Sequence, residues 1–208
     1  MQVVYKDISF LKSQPLDWTS YLKEIPKKEK HRILRLRQKS DRILAAEGIK
    51  LLQLISGDIT DFKKTEYGKP YFEHQDRFFN ISHAGDLVIC AYSSRQNIGI
   101  DIEKKEEVTI EDFHLMMRPE EIEKTKNLDD FYRLWTQKEA LIKAIGKGFS
   151  LDVKSLEITS NNCICVGVKW LLKEIKIHPE YTCHIAFQVE EELNVKQIDE
   201  KIALNESN

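Results

Sequence analysis

The stretch Asn97–Glu103, with the sequence Asn-Ile-Gly-Ile-Asp-Ile-Glu, decides how the rest of the chain is organised. Its isoleucines alternate with a glycine and two acids, which predicts a β-strand with Asp101 and Glu103 together on the face opposite the isoleucines. Residues two apart on a strand lie roughly 6.5 to 7 Å apart, so both carboxylates can reach one small hard cation. The pattern suits a metal site, although a half-exposed strand with acids facing water would look the same.

The composition is that of an ordinary folded protein with a local imbalance of charge. The chain has 208 residues, is 41% apolar and carries a net charge of -2, which is enough for one large domain or two small ones and argues against a general nucleic-acid binder. Between Lys27 and Arg42 there are eight Lys or Arg residues and two acids, whereas six acids and two lysines follow from Glu190 onward. The basic run is therefore either an anion site or a solvated helix face.

The sequence predicts a cytoplasmic protein that does not enter a membrane. A charge occurs too early, at Lys6, for a signal peptide, and no apolar run approaches the length that crosses a bilayer. The cysteines lack Cys-x-x-Cys spacing and lie in strand-like apolar sequence, so buried free thiols are expected rather than disulfides or a zinc site. They are Cys90, Cys163, Cys165 and Cys183.

Apolar periodicity and turn residues predict two similar halves. Helices are predicted at 19–25, 27–39, 41–55 (with Ser40 as N-cap) and 129–145, with a shorter helix from Pro119. Strands are predicted at 1–11, 78–83, 87–93, 98–103, 156–159, 163–168, 170–177 and 182–188. Helices ending at Gly57 and near Gly146 are each followed by a loop and strands, which indicates an α+β fold made of a duplicated unit. We expect residues 1–97 and 98–208 to form the halves, with a cleft between them.

The helix at 129–145 carries polar residues on and beside its apolar stripe. At 100° per residue, with Trp135 at zero, Glu139 lies near 40° and Lys143 near 80°, so both can point into a cleft. Lys138 lies near -60°, inside the apolar arc, where a charge is costly unless the ammonium meets an anion. Amphipathic packing alone does not explain this lysine, so we expect the helix to carry chemistry.

Several motifs together resemble the signatures of 4′-phosphopantetheinyl transferases of the larger, surfactin-synthetase-activating type. They are Glu66-Tyr-Gly-Lys-Pro70, Asn80-Ile-Ser-His83, Ile98-Gly-Ile-Asp-Ile-Glu103, Leu134-Trp-Thr-Gln-Lys-Glu-Ala-Leu-Ile-Lys143 and Gly146-Lys-Gly148. The resemblance implies a monomeric pseudo-dimer of two α+β halves with its active site in the cleft. It also implies transfer of 4′-phosphopantetheine from coenzyme A to a serine of an apo acyl or peptidyl carrier protein, with Mg²⁺ or Mn²⁺ as the metal and adenosine 3′,5′-bisphosphate as by-product.

The resemblance also implies roles for the matching residues. Asp101, Glu103 and Glu139 resemble the metal ligands, and Lys143 resembles the pyrophosphate-binding lysine. Coenzyme A contacts are implied for Lys69, Pro70, Ser82, His83 and Asp101, and contacts to its adenine end and 3′-phosphate for Lys27, Lys30 and Arg42. The catalytic group implied is Glu121, Lys143, Glu139 and His83, with Glu121 as the base that removes the proton from the carrier serine. Glu120 is expected to be only a helix-start acid that interacts with the helix dipole.

The residues fit phosphoryl transfer without the family name. That reaction needs a cation on the phosphates, positive groups and a positioned nucleophile more than it needs covalent chemistry from the protein. Two alternatives stay open: a non-catalytic carrier-protein or nucleotide-binding module of the same fold, and a magnesium-dependent phosphohydrolase that uses water as the nucleophile. The carrier served, whether in fatty-acid, polyketide or peptide synthesis, is not readable from the sequence.

Overall fold

A computed structural model describes residues 1–57, 59, 62–73, 76–165 and 167–199. The α-helices are α1 (Ser9–Ser13), α2 (Trp18–Tyr21), α3 (Lys27–Leu34), α4 (Lys39–Ser56), α5 (Pro119–Lys124) and α6 (Leu128–Ile145). The strands are β1 (Gln2–Asp7), β2 (Phe62–Lys64), β3 (Pro70–Phe72), β4 (Phe78–Ala84), β5 (Leu87–Ser93), β6 (Gly99–Lys104), β7 (Ile158–Thr159), β8 (Asn162–Cys165), β9 (Val168–Glu174), β10 (Tyr181–Phe187) and β11 (Asn194–Gln197). A 3₁₀ segment at Ile110–Met116 precedes α5. None of these helices is long and apolar enough to cross a lipid bilayer.

Two sheets pack face to face, and each is covered on its outer face by one long helix. The first sheet has the order β11-β1-β5-β4 and the second the order β6-β10-β9-β8-β7, while β2 and β3 form a separate hairpin. Residues of β1 and β5 share one buried cluster with Ile98, Ile100, Ile102 and residues of β10, so this core lies between the sheets. A second cluster lies under α4 and a third under α6. The predicted α+β fold is confirmed.

The two halves repeat one another in their helices. Both α4 and α6 have 18 residues, and both end at a glycine with positive φ, 76° at Gly57 and 78° at Gly146. A residue without a Cβ adopts this conformation at little cost, which is why glycine closes each helix. The boundary at residue 97 stays a prediction. At the far end of the chain, β11 runs back to the first sheet and pairs in parallel with β1.

The two packed sheets converge along one side, where their edge strands β4 and β6 lie next to each other. In place of a backbone ladder, side chains of β4 accept hydrogen bonds from main-chain N–H groups of β6: Ile100 N donates to Asn80 Oδ1 at 2.8 Å, and Ile102 N to Ser82 Oγ at 3.4 Å. This satisfies donors that would otherwise be buried without partners. The seam between β4 and β6 therefore brings the polar residues of both halves together.

Several predicted boundaries were wrong, each for a local reason. The first strand ends at Asp7 rather than at residue 11, because α1 follows directly. Helix α4 begins at Lys39 after Gln38, so Ser40 is not its N-cap, and its hydroxyl instead donates to Asp41. The predicted strand at 163–168 is two strands, since Gly167 has a φ of 73° and starts β9 at Val168. Strand β11 was not predicted. The four cysteines are buried, as expected.

Candidate active site

Asp101 is the centre of a polar cluster at the seam between β4 and β6. Its side chain is only 4% exposed, and its Oδ1 accepts hydrogen bonds from Lys143 Nζ at 2.6 Å and from Ser82 Oγ at 3.1 Å. Lys143 Nζ also donates to Ser82 Oγ at 2.9 Å. The cluster thus joins a strand of each half to helix α6.

Gly99 explains why α6 can lie so close to β6. A Cβ at this position would be 2.1 Å from the carbonyl oxygen of Ala140 and 2.3 Å from the nitrogen of Ala144. The absence of a side chain allows the backbone of β6 to touch the backbone of α6. This close approach carries Lys143, the neighbour of Ala144, to Asp101.

Two further carboxyl groups lie within the electrostatic influence of Asp101. Burial raises the pKa of Glu103 to about 7, and the charge of Asp101 adds to this, while Lys143 and the indole N–H of Trp135 act in the opposite direction. Burial and Asp101 also raise the pKa of Glu139, which Lys143 partly offsets. The three predicted metal ligands therefore share one electrostatic environment in which their negative charges repel.

The chemistry of these residues fits a magnesium ion, although they are not arranged as a ready-made metal site. Among the residues that the structure describes, no group of three or more His, Cys, Asp or Glu side chains is close enough together to hold a metal. However, Asp101 Oδ2 is buried and has no hydrogen-bond partner there. A hard divalent cation would satisfy that oxygen and relieve the repulsion that raises the pKa values of Glu103 and Glu139.

A cavity of about 230 Å³ opens beside the cluster. Its wall combines the predicted Lys69 and Pro70 from the first half with Glu139 and Lys143 from α6. The remaining lining residues are Tyr67, Gly68, Asn80, Ile142, Gly146 and Gly148. The loop, the Asn-Ile-Ser-His strand and the helix, which are distant in sequence, therefore contribute to one concave surface.

His83 lies at the surface near this cluster. Partial burial of the ring lowers its pKa, and the positive charge of Lys143 lowers it further, while Asp41 and Asp101 act in the opposite direction. The neutral imidazole is therefore favoured. The predicted contact of His83 with coenzyme A stays a prediction.

The predicted basic residues are not joined to one another by any contact among the described residues. Arg42 Nε donates to the carbonyl of Leu36 at 2.8 Å, and its guanidinium lies 5.5 Å from the centre of the Trp18 ring. Lys27 is exposed, and Lys30 Nζ lies 3.5 Å from the carbonyl oxygen of Lys23. A separate basic cavity of about 480 Å³ is lined by Lys28, Glu29, Arg32, Lys63 and Lys64.

Glu121 lies in a different environment from the Asp101 cluster. Its Oε2 accepts hydrogen bonds from Lys138 Nζ at 2.6 Å and from Arg118 N at 2.8 Å, and both side chains of the ion pair are nearly buried. Lys138 therefore has the anionic partner that its place in the apolar arc required. The role of Glu121 as the base stays a prediction. Glu120 is exposed and pairs loosely with Arg118.

The sequence did not reveal how Asn80 and Ser82 support the site. Asn80 was not predicted as a site residue, and Ser82 was predicted only as a coenzyme contact, whereas both hold β6 and Ser82 also holds Asp101. The signal available was their spacing of two, which places both side chains on one face of β4. Which element faces them depends on long-range packing, which that spacing does not contain.

Comparison of the sequence with protein-family models identifies the family of this chain. A family model described as the 4′-phosphopantetheinyl transferase superfamily matches residues 97–196, and one described as the N-terminal part of 4′-phosphopantetheinyl transferases matches residues 12–95. The two matched regions are consecutive and together include β4, β6 and the seam between them, while β1 lies outside both. The chain therefore belongs to the 4′-phosphopantetheinyl transferase superfamily, as the motifs predicted.

Several named proteins are similar in sequence to this chain over part of their length. The 4′-phosphopantetheinyl transferase Sfp of Bacillus subtilis is 42% identical over 113 residues, which cover 51% of this chain and 50% of that protein. The 4′-phosphopantetheinyl transferase gsp of Aneurinibacillus migulanus is 40% identical over 119 residues, covering 54% and 49%. The L-aminoadipate-semialdehyde dehydrogenase-phosphopantetheinyl transferase of Rattus norvegicus is 30% identical over 170 residues, covering 69% and 55%. The chain spans about half the length of the relatives it matches.

Proposed function

We propose that the protein transfers 4′-phosphopantetheine from coenzyme A to a serine of an apo carrier protein. The observation that carries this proposal is the Asp101–Lys143–Ser82 cluster beside a cavity whose wall also contains Glu139 and Lys69. A buried carboxylate, further acids and a lysine ammonium at one cavity are the groups that hold a metal and a pyrophosphate together. The relatives named as 4′-phosphopantetheinyl transferases support the same reaction.

The proposed step is a displacement at phosphorus in which one P–O bond forms and another breaks. The serine oxygen of the carrier attacks the phosphorus that bears pantetheine, and the bond from this phosphorus to the bridging oxygen breaks. Adenosine 3′,5′-bisphosphate leaves with that oxygen, while the serine proton passes to a base, for which Glu121 remains our candidate. Lys143, which pairs with Asp101, would place its positive charge where the charge of the leaving pyrophosphate oxygen increases.

Asp101, Glu103 and Glu139 would hold Mg²⁺, with Asp101 Oδ2 as the oxygen that is free to do so. When bound, the ion would neutralise part of the charge on the pyrophosphate. We further propose that the protein acts as a cytoplasmic monomer, and that Mn²⁺ can replace Mg²⁺. Coenzyme A would contact Lys69, Pro70, Ser82 and His83, with Lys27, Lys30 and Arg42 toward its 3′-phosphate.

Mass spectrometry of an apo carrier protein, incubated with the enzyme, coenzyme A and Mg²⁺, tests the reaction. A transferase adds the mass of phosphopantetheine to the carrier, a phosphohydrolase splits coenzyme A without a carrier, and a non-catalytic module changes neither. Asp101→Asn should lower the transfer rate at least about 100-fold, because it removes the charge that pairs with Lys143 and binds the metal. Asp129→Asn removes an acid that is 73% exposed and should change the rate less than twofold. Equal rates for wild type and Asp101→Asn would refute this assignment.

A further inference from the structure

Lys69 makes its contacts with main-chain atoms of the other half of the protein. Its Nζ donates to the carbonyl oxygen of Ala144 at 2.6 Å and lies 3.5 Å from that of Ile98. None of the ion pairs found in the described part of the chain includes Lys69. The ammonium is therefore held by two neutral acceptors rather than by a carboxylate.

The Ala144 carbonyl belongs to the last turn of α6, where carbonyl groups have no partner within the helix. The final helical bond runs from Gly146 N to the carbonyl of Ile142, so Ala144 needs an external donor. A lysine at this end also interacts favourably with the helix dipole. Burial lowers the pKa of Lys69 to about 8, so the ammonium has given up water to occupy this place.

Gly146 leaves the space through which the lysine side chain reaches α6. A Cβ at Gly146 would lie 2.6 Å from Lys69 Cδ, so even alanine would displace the stem. Ile98, the second acceptor, immediately precedes Gly99, whose backbone touches α6. Lys69 thus lies where the loop of the first half, the start of β6 and the end of α6 converge.

The turn that carries Lys69 is closed on itself. Thr65 N donates to the Lys69 carbonyl at 2.8 Å, Gly68 N to the Thr65 carbonyl at 2.9 Å, and Lys69 N to Thr65 Oγ1 at 3.1 Å. Because these bonds make one compact unit, the contacts of the Lys69 ammonium attach the whole turn to the second half. The same turn supplies Tyr67 and Pro70 to the 230 Å³ cavity.

We infer that Lys69 is a positioning residue whose ammonium closes the C-terminus of α6 and clamps the turn at 65–70 onto the second half. The clamp holds the cavity wall opposite Glu139 and Lys143 before any ligand binds. Its effect on coenzyme A rests on the proposed function, whereas the clamp itself does not. This role is additional to the coenzyme A contact proposed above for Lys69, because it exists in the ligand-free protein.

Hydrogen exchange on the ligand-free protein separates the two roles. Lys69→Met keeps most of the stem and removes the ammonium, so amides at 65–69 and 143–146 should exchange about tenfold faster than in wild type. Lys64→Met, a matched loss of an exposed lysine from the adjacent strand, should leave these amides unchanged. With coenzyme A, Lys69→Met should raise KM several-fold and leave kcat within about twofold, because the clamp acts on binding.

A second experiment does not depend on catalysis. Gly146→Ala should lower the unfolding midpoint in wild type by clearly more than in a Lys69→Ala background, where the stem that it would strike is gone. The strain at the positive φ of Gly146 is the same in both backgrounds, so the difference reports the contact alone.

Unchanged exchange in ligand-free Lys69→Met, together with weaker coenzyme A binding, would overturn the inference and assign Lys69 to the phosphates. Equal effects of Gly146→Ala in both backgrounds would overturn it as well. Failure of the proposed function is distinguishable, because wild type would then not modify the carrier while both experiments on the clamp would still give their expected results.

Discussion

At the scale of single residues, Gly99 is a position where one added carbon should be costly. The Cβ of Gly99→Ala would meet main-chain atoms of Ala140 and Ala144 at 2.1 and 2.3 Å. Main-chain atoms of a helix cannot move away by a change of rotamer, as side-chain atoms can. We therefore expect Gly99→Ala to lower the free energy of unfolding by about 3 kcal/mol or more, measured by urea denaturation.

Gly48→Ala is the matched comparison. Its Cβ would lie 2.9 Å from Ile81 Cγ2, which is a side-chain methyl group rather than main chain, and alanine favours the helix α4 in which Gly48 lies. The loss should therefore be at most about 1 kcal/mol. Similar losses for the two variants would show that α6 can move away from β6 at little cost.

The residues of the site divide into those that a local pattern predicts and those that it does not. A period of two placed Asp101 and Glu103 on one face of β6, and a period of 3.6 placed Glu139 and Lys143 beside the same stripe of α6. The contact between Asp101 and Lys143 follows from these patterns once the two elements pack. The Ser82 contact joins separate halves of the chain, so no local period contains it.

At the scale of elements, the Lys138–Glu121 pair fastens α5 to α6. The lysine side chain is 2% exposed and the glutamate 10%, so removing one partner leaves a buried charge without compensation. We expect Glu121→Gln to lower the free energy of unfolding by about 3 to 5 kcal/mol. The double variant Lys138→Met with Glu121→Gln should lose less than the sum of the single losses, as denaturant titration would measure.

Glu120→Gln is the control, because Glu120 is 64% exposed and lies 3.6 Å from its partner Arg118. Its effect on stability should stay within about 0.5 kcal/mol. Additive losses for Lys138 and Glu121 would contradict the pairing. The proposed role of Glu121 as base must then be measured at temperatures where Glu121→Gln is folded, and there we expect the transfer rate to fall about 100- to 10,000-fold.

Long elements with strong periodicity were predictable, whereas edges and short strands were not. Helix α6 was predicted from residue 129 to 145 and begins one residue earlier, since its apolar stripe is continuous. Strand β11 has no buried residue in its four positions, so its sequence lacks the alternation that marks a strand. Its pairing with β1 comes from the sheet edge rather than from its own pattern.

At the scale of the whole molecule, the two-halved fold explains where the candidate site lies. Each half contributes an 18-residue helix and most of one sheet, with β11 completing the first sheet, and the two sheets share one core between them. At the seam between β4 and β6, polar side chains of both halves meet without disrupting that apolar core. The proposed substrates would bind there because neither half contains the complete set of groups.

The stability of the whole molecule should depend on His184. This histidine is 1% exposed on β10, and its Nδ1 lies 2.7 Å from Thr136 Oγ1 of α6. Burial lowers its pKa to about 4, and Arg133 adds to this. Since the unfolded value is about 6.5, the neutral ring contributes about 3 kcal/mol above pH 6.5, and this contribution is lost as the pH falls through 4.

The measurement is the free energy of unfolding from pH 7 to pH 4 for wild type and His184→Gln. Glu103 has the opposite effect in this window, because its raised pKa of about 7 lets the folded state bind a proton first as the pH falls. Both proteins contain Glu103, so the difference between their curves isolates His184. That difference should narrow by about 3 kcal/mol toward pH 4, because only wild type loses the contribution of a neutral imidazole. Parallel curves would mean that the folded state protonates His184 as readily as the unfolded state does, and that some other group sets the acid limit of the fold.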